Sequence, residues 1–154
     1  MNQTLHTNML DHFFEGVYFV DPERRIGFWN RAAEKLTGFS REEVVGRVCA
    51  DAILRHVTED GTMLCFNGCP LQKTLSDGQD RETEIFLHHK DGHRVPVSVR
   101  VTPMRNDAGE IIGAMEVFRH AGDDITLRTR IADLEKEREI CSQCGEPNED
   151  CCIN

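Results

Sequence analysis

The sequence predicts an α+β domain built from two short strands, a run of short helices and three longer strands, with a helix at each end. Three observations lead there. Period-two apolar alternation marks the C-terminal half, most clearly at Val95, Val97, Val99 and Val101. Asn, Ser and Gly punctuate the preceding region at helix-capping intervals. The 154 residues, 39% hydrophobic and 29% charged, suffice for one core with short appendages.

Residues 3–14 predict an amphipathic helix, because Leu5, Met9 and Phe13 recur every four residues on one face. Residues 16–20 form a short apolar strand closed by Asp21-Pro22, and residues 25–29 a second one after a hairpin-length turn. Asn30 caps a helix through Leu36 that Gly38 stops. Ser40 and Glu43 make a capping box, opening a short helix that ends at Gly46. Residues 49–57 suggest a helical turn or two, and the polar stretch 58–68 a loop. Leu71 to Leu75 is a further helix, stopped by Gly78.

Strand 81–89 places Thr83, Ile85 and Leu87 on one face, and Lys90-Asp91-Gly92 is a hairpin turn. Strands 94–103 and 111–119 follow, joined by a turn over 106–110. Asp124-Ile-Thr126 then opens a charged helix to about Ile140, where Leu127, Ile131 and Leu134 form a fragment of a heptad seam. Cys141 to Asn154 is polar and reads as loop.

The net charge of -9 argues against binding nucleic acid or an anionic membrane surface. No apolar run approaches the roughly 20 residues that span a bilayer, and Met1 to Asp11 lacks the features of a signal peptide. The expectation is a cytoplasmic protein. In that reducing compartment seven cysteines point to ligands or redox thiols rather than disulfides.

Several segments together resemble the PAS family. They are Trp29 to Glu34, Thr37 to Ser40, Glu43 to Gly46, the hairpin His89 to Val97, the hairpin Asp107 to Gly113, and Asp124-Ile-Thr126. The resemblance covers about residues 10–126. It implies a five-stranded antiparallel sheet with helices over one face, and a sensor or interaction module without catalysis of its own. Such modules sit ahead of GGDEF diguanylate cyclases, histidine kinases or DNA-binding domains. The expected organisation is a helix over 1–14, a sensor domain over 15–122, a signalling helix over 123–140 and a Cys-rich tail over 141–154.

The candidate ligands are Cys49, His56, Cys65 and Cys69, spaced Cys-x6-His-x8-Cys-x3-Cys and followed by Pro70. This insertion resembles that of a subset of PAS domains found ahead of cyclases. Three thiols and an imidazole make a complete set for a soft or borderline metal. Structural zinc and an iron–sulfur cluster are both open, as are a thiol redox switch and unconnected buried thiols. Cys65 and Cys69 can meet through a tight Phe-Asn-Gly turn. Cys49 and His56 cannot share an ion on an unbroken helix, whose rise over seven residues is about 10 Å. The metal reading therefore requires a break near residues 50–56.

Flavin and haem fit less well. Gly46-Arg47-Val48-Cys49 resembles the Gly-Arg-Asn-Cys of flavin photoreceptors, but Val48 replaces the asparagine. His56 is the one candidate haem ligand on the helical side, and its cysteine neighbours favour a metal site. His88, His89 and His93 read as solvated hairpin residues. Cys141, Cys144, Cys151 and Cys152 form a second, weaker candidate set.

The leading expectation is a sensor of redox state, oxygen or a metal. It relays through its C-terminal helix to a kinase, cyclase or regulator, and pairs as a homodimer through its terminal helices. The alternative is an interaction module with structural zinc or buried thiols. No nucleophile–base pair, phosphate loop or paired carboxylate supports an enzyme.

Overall fold

The computed structural model describes residues 3–51, 53–122 and 130–136. The chain divides into two compact units, Met1–Ala121 and Gly122–Asn154. The first unit contains, in order, α1 (Gln3–Asp11), β1 (Gly16–Val20), β2 (Ile26–Trp29), α2 (Arg31–Thr37), α3 (Arg41–Val44), α4 (Pro70–Asp77), β3 (Arg81–His88), β4 (Arg94–Arg105) and β5 (Ile111–His120). The strands form one antiparallel sheet in the order β2-β1-β5-β4-β3. The last strand in sequence is thus the central strand in space.

The inward face of the sheet carries Tyr18, Trp29, Val97, Val99, Val101 and Phe118, all fully buried. Ala33 of α2, Val44 of α3 and Leu71 of α4 belong to the same core. Tyr18, Trp29 and Phe118 pack their rings together, with centroids 5.4 to 6.3 Å apart.

Asn30 ties α1, β1 and α2 into one corner. Its Oδ1 accepts from the amides of Ala33 and Val17, both at 2.9 Å. Its Nδ2 donates to the carbonyls of Leu10 and Glu15. One buried side chain therefore caps a helix and satisfies three other main-chain groups. At the far end of α2, Gly38 adopts the left-handed conformation at φ 77°, and its amide bonds the Glu34 carbonyl. A side chain there would also collide with His89.

Three of the element boundaries that differ from expectation have a visible local cause. Helix α1 stops at Asp11 rather than residue 14, because the His12 and Phe13 amides fold back on Met9 and Leu10. Helix α3 ends at Val44, before Gly46, since Gly46 bonds β2 instead. Helix α4 begins at Pro70, with Cys69 as its N-cap. The Cys-Pro pair is thus a helix start, where proline's missing amide costs nothing.

In the second unit, residues 130–136 are helical, with Ile131 and Leu134 about half exposed at 53% and 54%. Leu127 and the tail cysteines lie outside the described residues. Among the described residues no helix is long and apolar enough to cross a membrane.

Candidate functional site

The segment from Gly46 to Cys69 owes its course to the two edge strands. It begins on β2, where the Gly46 amide bonds the Ile26 carbonyl, the Ile26 amide the Arg47 carbonyl, and the Cys49 amide the Arg24 carbonyl. It then reaches β3, where Val57 and Phe86 exchange two main-chain hydrogen bonds of 2.9 Å and the His88 amide bonds the Leu54 carbonyl. Both sheet edges are thereby covered. In passing from β2 to β3 the chain crosses the inward face.

That course explains the local conformation. Among the described residues of 49–57 there is no helix, only turns. Arg55 takes a left-handed φ of 39°, and the Arg94 guanidinium donates to its carbonyl at 2.7 Å. Main-chain groups that a helix would use internally are claimed by β2 and β3. The expected turn or two of helix is therefore absent, and Cys49 and His56 are not separated by a helical rise.

Cys49, His56, Cys65 and Cys69 are all buried, at 5 to 6% exposure. The three described cysteines are free thiols. Cys49 and Cys69 are part of the continuous core. The Cys65 sulfur bonds the His56 main chain, and the Leu64 amide bonds the His56 carbonyl. The Arg24 guanidinium donates to the Cys65 carbonyl at 3.4 Å.

Beneath these residues lies a carboxyl group that sequence reasoning missed. Glu116 is opposite Tyr18 of β1 on one side and Val101 of β4 on the other. Tyr18 in turn is opposite Trp29. The row across the sheet thus runs Trp29, Tyr18, Glu116, Val101 and, on the edge strand β3, Arg81. Glu116 is 1% exposed, and its Oε1 has no hydrogen-bond partner. The nearest basic atom is the His56 Nε2, 3.7 Å away. The buried Tyr18 hydroxyl is coupled to the same carboxyl without full hydrogen-bond geometry.

Burial dominates the electrostatics. It pushes the Glu116 carboxyl up to about 8, opposed by Tyr18, and the His56 imidazole down to about 4, aided by Arg94. Both are neutral near pH 7. The Cys49 thiol is held well above its ordinary range, first by burial and then by Glu116 and the neighbouring sulfurs, with Arg24 opposing. Burial also raises Cys65. Such thiols are poor nucleophiles. They would ligate a metal only by giving up their protons to it.

The donor chemistry of the four residues suits a thiophilic metal. Their spacing is wider than a closed coordination sphere. Among the described residues, the set of three ligand atoms lying within 4.8 Å of one another is instead His89, Asp91 and His93 on the β3–β4 hairpin. There the Asp-Gly turn brings the two imidazoles into a stack with centroids 4.3 Å apart. The triad is partly to fully exposed.

A signal for Glu116 was present but ambiguous. Residues 111–119 are apolar at both parities, with Ile111, Met115 and Val117 on one and Ile112, Ala114 and Phe118 on the other. Nothing in the strand alone told which face was inward. The partners of β5 decide it.

The family description "PAS domain" matches residues 15–126. The chain is 27% identical over 145 residues to the signal transduction histidine-protein kinase AtoS of Escherichia coli, covering 94% of this chain and 22% of the kinase. It is 28% identical over 122 residues to a blue-light-activated histidine kinase of Brucella ovis, covering 79% of this chain and 23% of the kinase. The chain thus spans less than a quarter of these relatives. A solved PAS domain from Colwellia psychrerythraea superposes with a TM-score of 0.62 at 20% identity, covering 76% of this chain and 94% of that one.

Proposed function

The chain belongs to the PAS domain family, whose members of this kind are non-catalytic sensory modules, and we propose that it senses through Cys49, His56, Cys65 and Cys69. The signal would be redox state, oxygen or a metal. The output would pass through β5 and the C-terminal helix to a signalling partner such as a kinase or cyclase. One observation carries this reading. The four residues are buried together over Glu116, a carboxyl on the central strand whose Oε1 has no hydrogen-bond partner. A cation or a proton change there alters charge where little water screens it. Strand β5, which holds Glu116, ends at His120 just before the second unit begins.

The kinases in the comparison are much longer proteins, and the link to a kinase or cyclase output rests on likeness to them and to their class. Among the structural neighbours are an RNA-binding light-oxygen-voltage receptor and the DNA-binding regulator VqmA. The acidity of this chain argues for a protein partner.

A second reading has an observation of its own. Cys49 and Cys69 pack as ordinary members of the core, as buried thiols do in an interaction module without a sensed ligand. Anaerobic purification with elemental analysis and a visible spectrum separates the two. Iron with sulfide, or a metal lost on exposure to oxidant, supports sensing. A metal-free protein that keeps its fold after all three cysteines become serine supports the interaction module.

A further inference from the structure

Glu116 has no place in a count of sulfur and nitrogen donors, yet it is the group nearest the tip of His56. The two side chains are almost completely inaccessible, at 7% and 2%. The His56 Nε2 lies 3.7 Å from Oε1, and Oε1 has no other hydrogen-bond partner. A small rotation of either side chain turns that separation into a hydrogen bond. The Tyr18 hydroxyl is coupled to the same carboxyl from β1. The imidazole Nε2 is the basic atom within reach of Oε1.

The other end of His56 is fixed as well. Its main chain bonds the Cys65 sulfur and the Leu64 amide. Of the two ring nitrogens, Nδ1 is bonded to the ring carbon nearest the main chain. Nε2 is the nitrogen at the Glu116 side. A neutral imidazole carries one proton, and its location determines which nitrogen has a free lone pair.

We infer that Glu116 is a positioning residue for His56: its carboxyl takes a hydrogen bond from Nε2–H and leaves Nδ1 as the unprotonated nitrogen. The inference rests on the proposed sensing site and names the donor atom within it. It follows the general arrangement in which an imidazole gives its other N–H to an oxygen acceptor, here the carbonyl oxygen of a carboxyl that is neutral near pH 7. It also gives a donor to Oε1, which is otherwise without a hydrogen-bond partner. A buried polar group left without a partner is costly, and a hydrogen bond to His56 offsets that cost.

The test uses the full chain, reduced, metal-free and labelled with 15N at histidine. Long-range proton–nitrogen correlation reads the tautomer of His56 directly. The expected result is Nε2–H in the wild type, retained in Glu116→Gln, whose amide oxygen still accepts, and lost or mixed in Glu116→Ala. An Nδ1–H tautomer in the wild type overturns the assignment, and so does a tautomer unchanged in Glu116→Ala. The wild-type spectrum is decisive even where a variant fails to fold.

Zinc titration in a background of His93→Ala with Cys141, Cys144, Cys151 and Cys152 changed to serine, which removes the hairpin triad and the tail thiols, reads the underlying site separately. Affinity is expected to fall about 10- to 100-fold in Glu116→Ala. A wild-type-like site that binds no zinc and no iron overturns the metal form of the sensing site. The Nδ1–H tautomer overturns the positioning role even in a protein that binds metal.

Discussion

Replacing Glu116 with glutamine removes an ionisable group from the core while keeping its shape, and its consequence can be worked out as a pH profile of stability. The folded carboxyl titrates at about 8 rather than its ordinary 4.5. Its contribution is fully present below 4.5 and is lost as pH rises toward 8, because the unfolded chain releases its proton first. His56 runs the other way. Its folded value of about 4 lies below its ordinary 6.5, so its contribution is present above 6.5 and lost as pH falls toward 4.

Between pH 4.5 and 6.5 the two slopes oppose and nearly cancel. Between 6.5 and 8 Glu116 acts alone, at about 1.4 kcal/mol per pH unit, for a total of about 2 kcal/mol. The other groups facing it are Tyr18, Cys49 and Cys65, and all three are pushed upward, so their changes fall at higher pH. The assay is urea denaturation of the reduced, chelator-treated protein, followed by fluorescence of the buried Trp29. Wild type is expected to lose about 2 kcal/mol from pH 6.5 to 8, and Glu116→Gln to be flat there. An equal slope in the two proteins refutes the reasoning.

Other substitutions test the scaffold. Asn30→Ala removes a cap and leaves buried main-chain groups unpaired, so a loss of about 3 kcal/mol is expected in denaturant titration; a loss below about 1 kcal/mol contradicts the corner described for it. Gly113→Ala builds a methyl 2.2 Å from the Val20 carbonyl oxygen on the neighbouring strand, and about 3 kcal/mol or outright misfolding is expected; near wild-type melting contradicts that close approach. Leu5, Met9 and Phe13 are each half or more exposed, at 50%, 59% and 50%. Pairing through α1 predicts a wild-type dimer in light scattering that becomes a monomer, with unchanged circular dichroism, when all three are serine; a monomeric wild type or an undiminished dimer contradicts it.

What the sequence revealed, it revealed through local rules. Val95 to Val101 announced β4 because its neighbours on both sides hold the same parity. Asn30, Gly38, Ser40 and Gly78 marked helix ends because capping depends on residues within one turn. The candidate ligands were visible as residue types, and their common burial on the helical side followed. The misreadings that bear on the site mostly involve partners distant in sequence. Residues 49–57 looked weakly helical, yet their main chain is satisfied by β2 and β3, some twenty to thirty residues away on either side. Glu116 was hidden because the face of β5 is set by β1 and β4. Cys69-Pro70, which closes the candidate ligand run, is also the start of α4.

The central claim is that a change of state at Cys49, His56, Cys65 and Cys69 alters the sheet, and hydrogen exchange tests it most directly. Amide protection along β5 should be compared between the loaded or reduced protein and the stripped or oxidised one. Sensing predicts a change in protection centred on Ala114 to Phe118, abolished when the three cysteines are serine. Identical protection along β5 in two states that differ at the thiols would contradict sensing and leave a structural role.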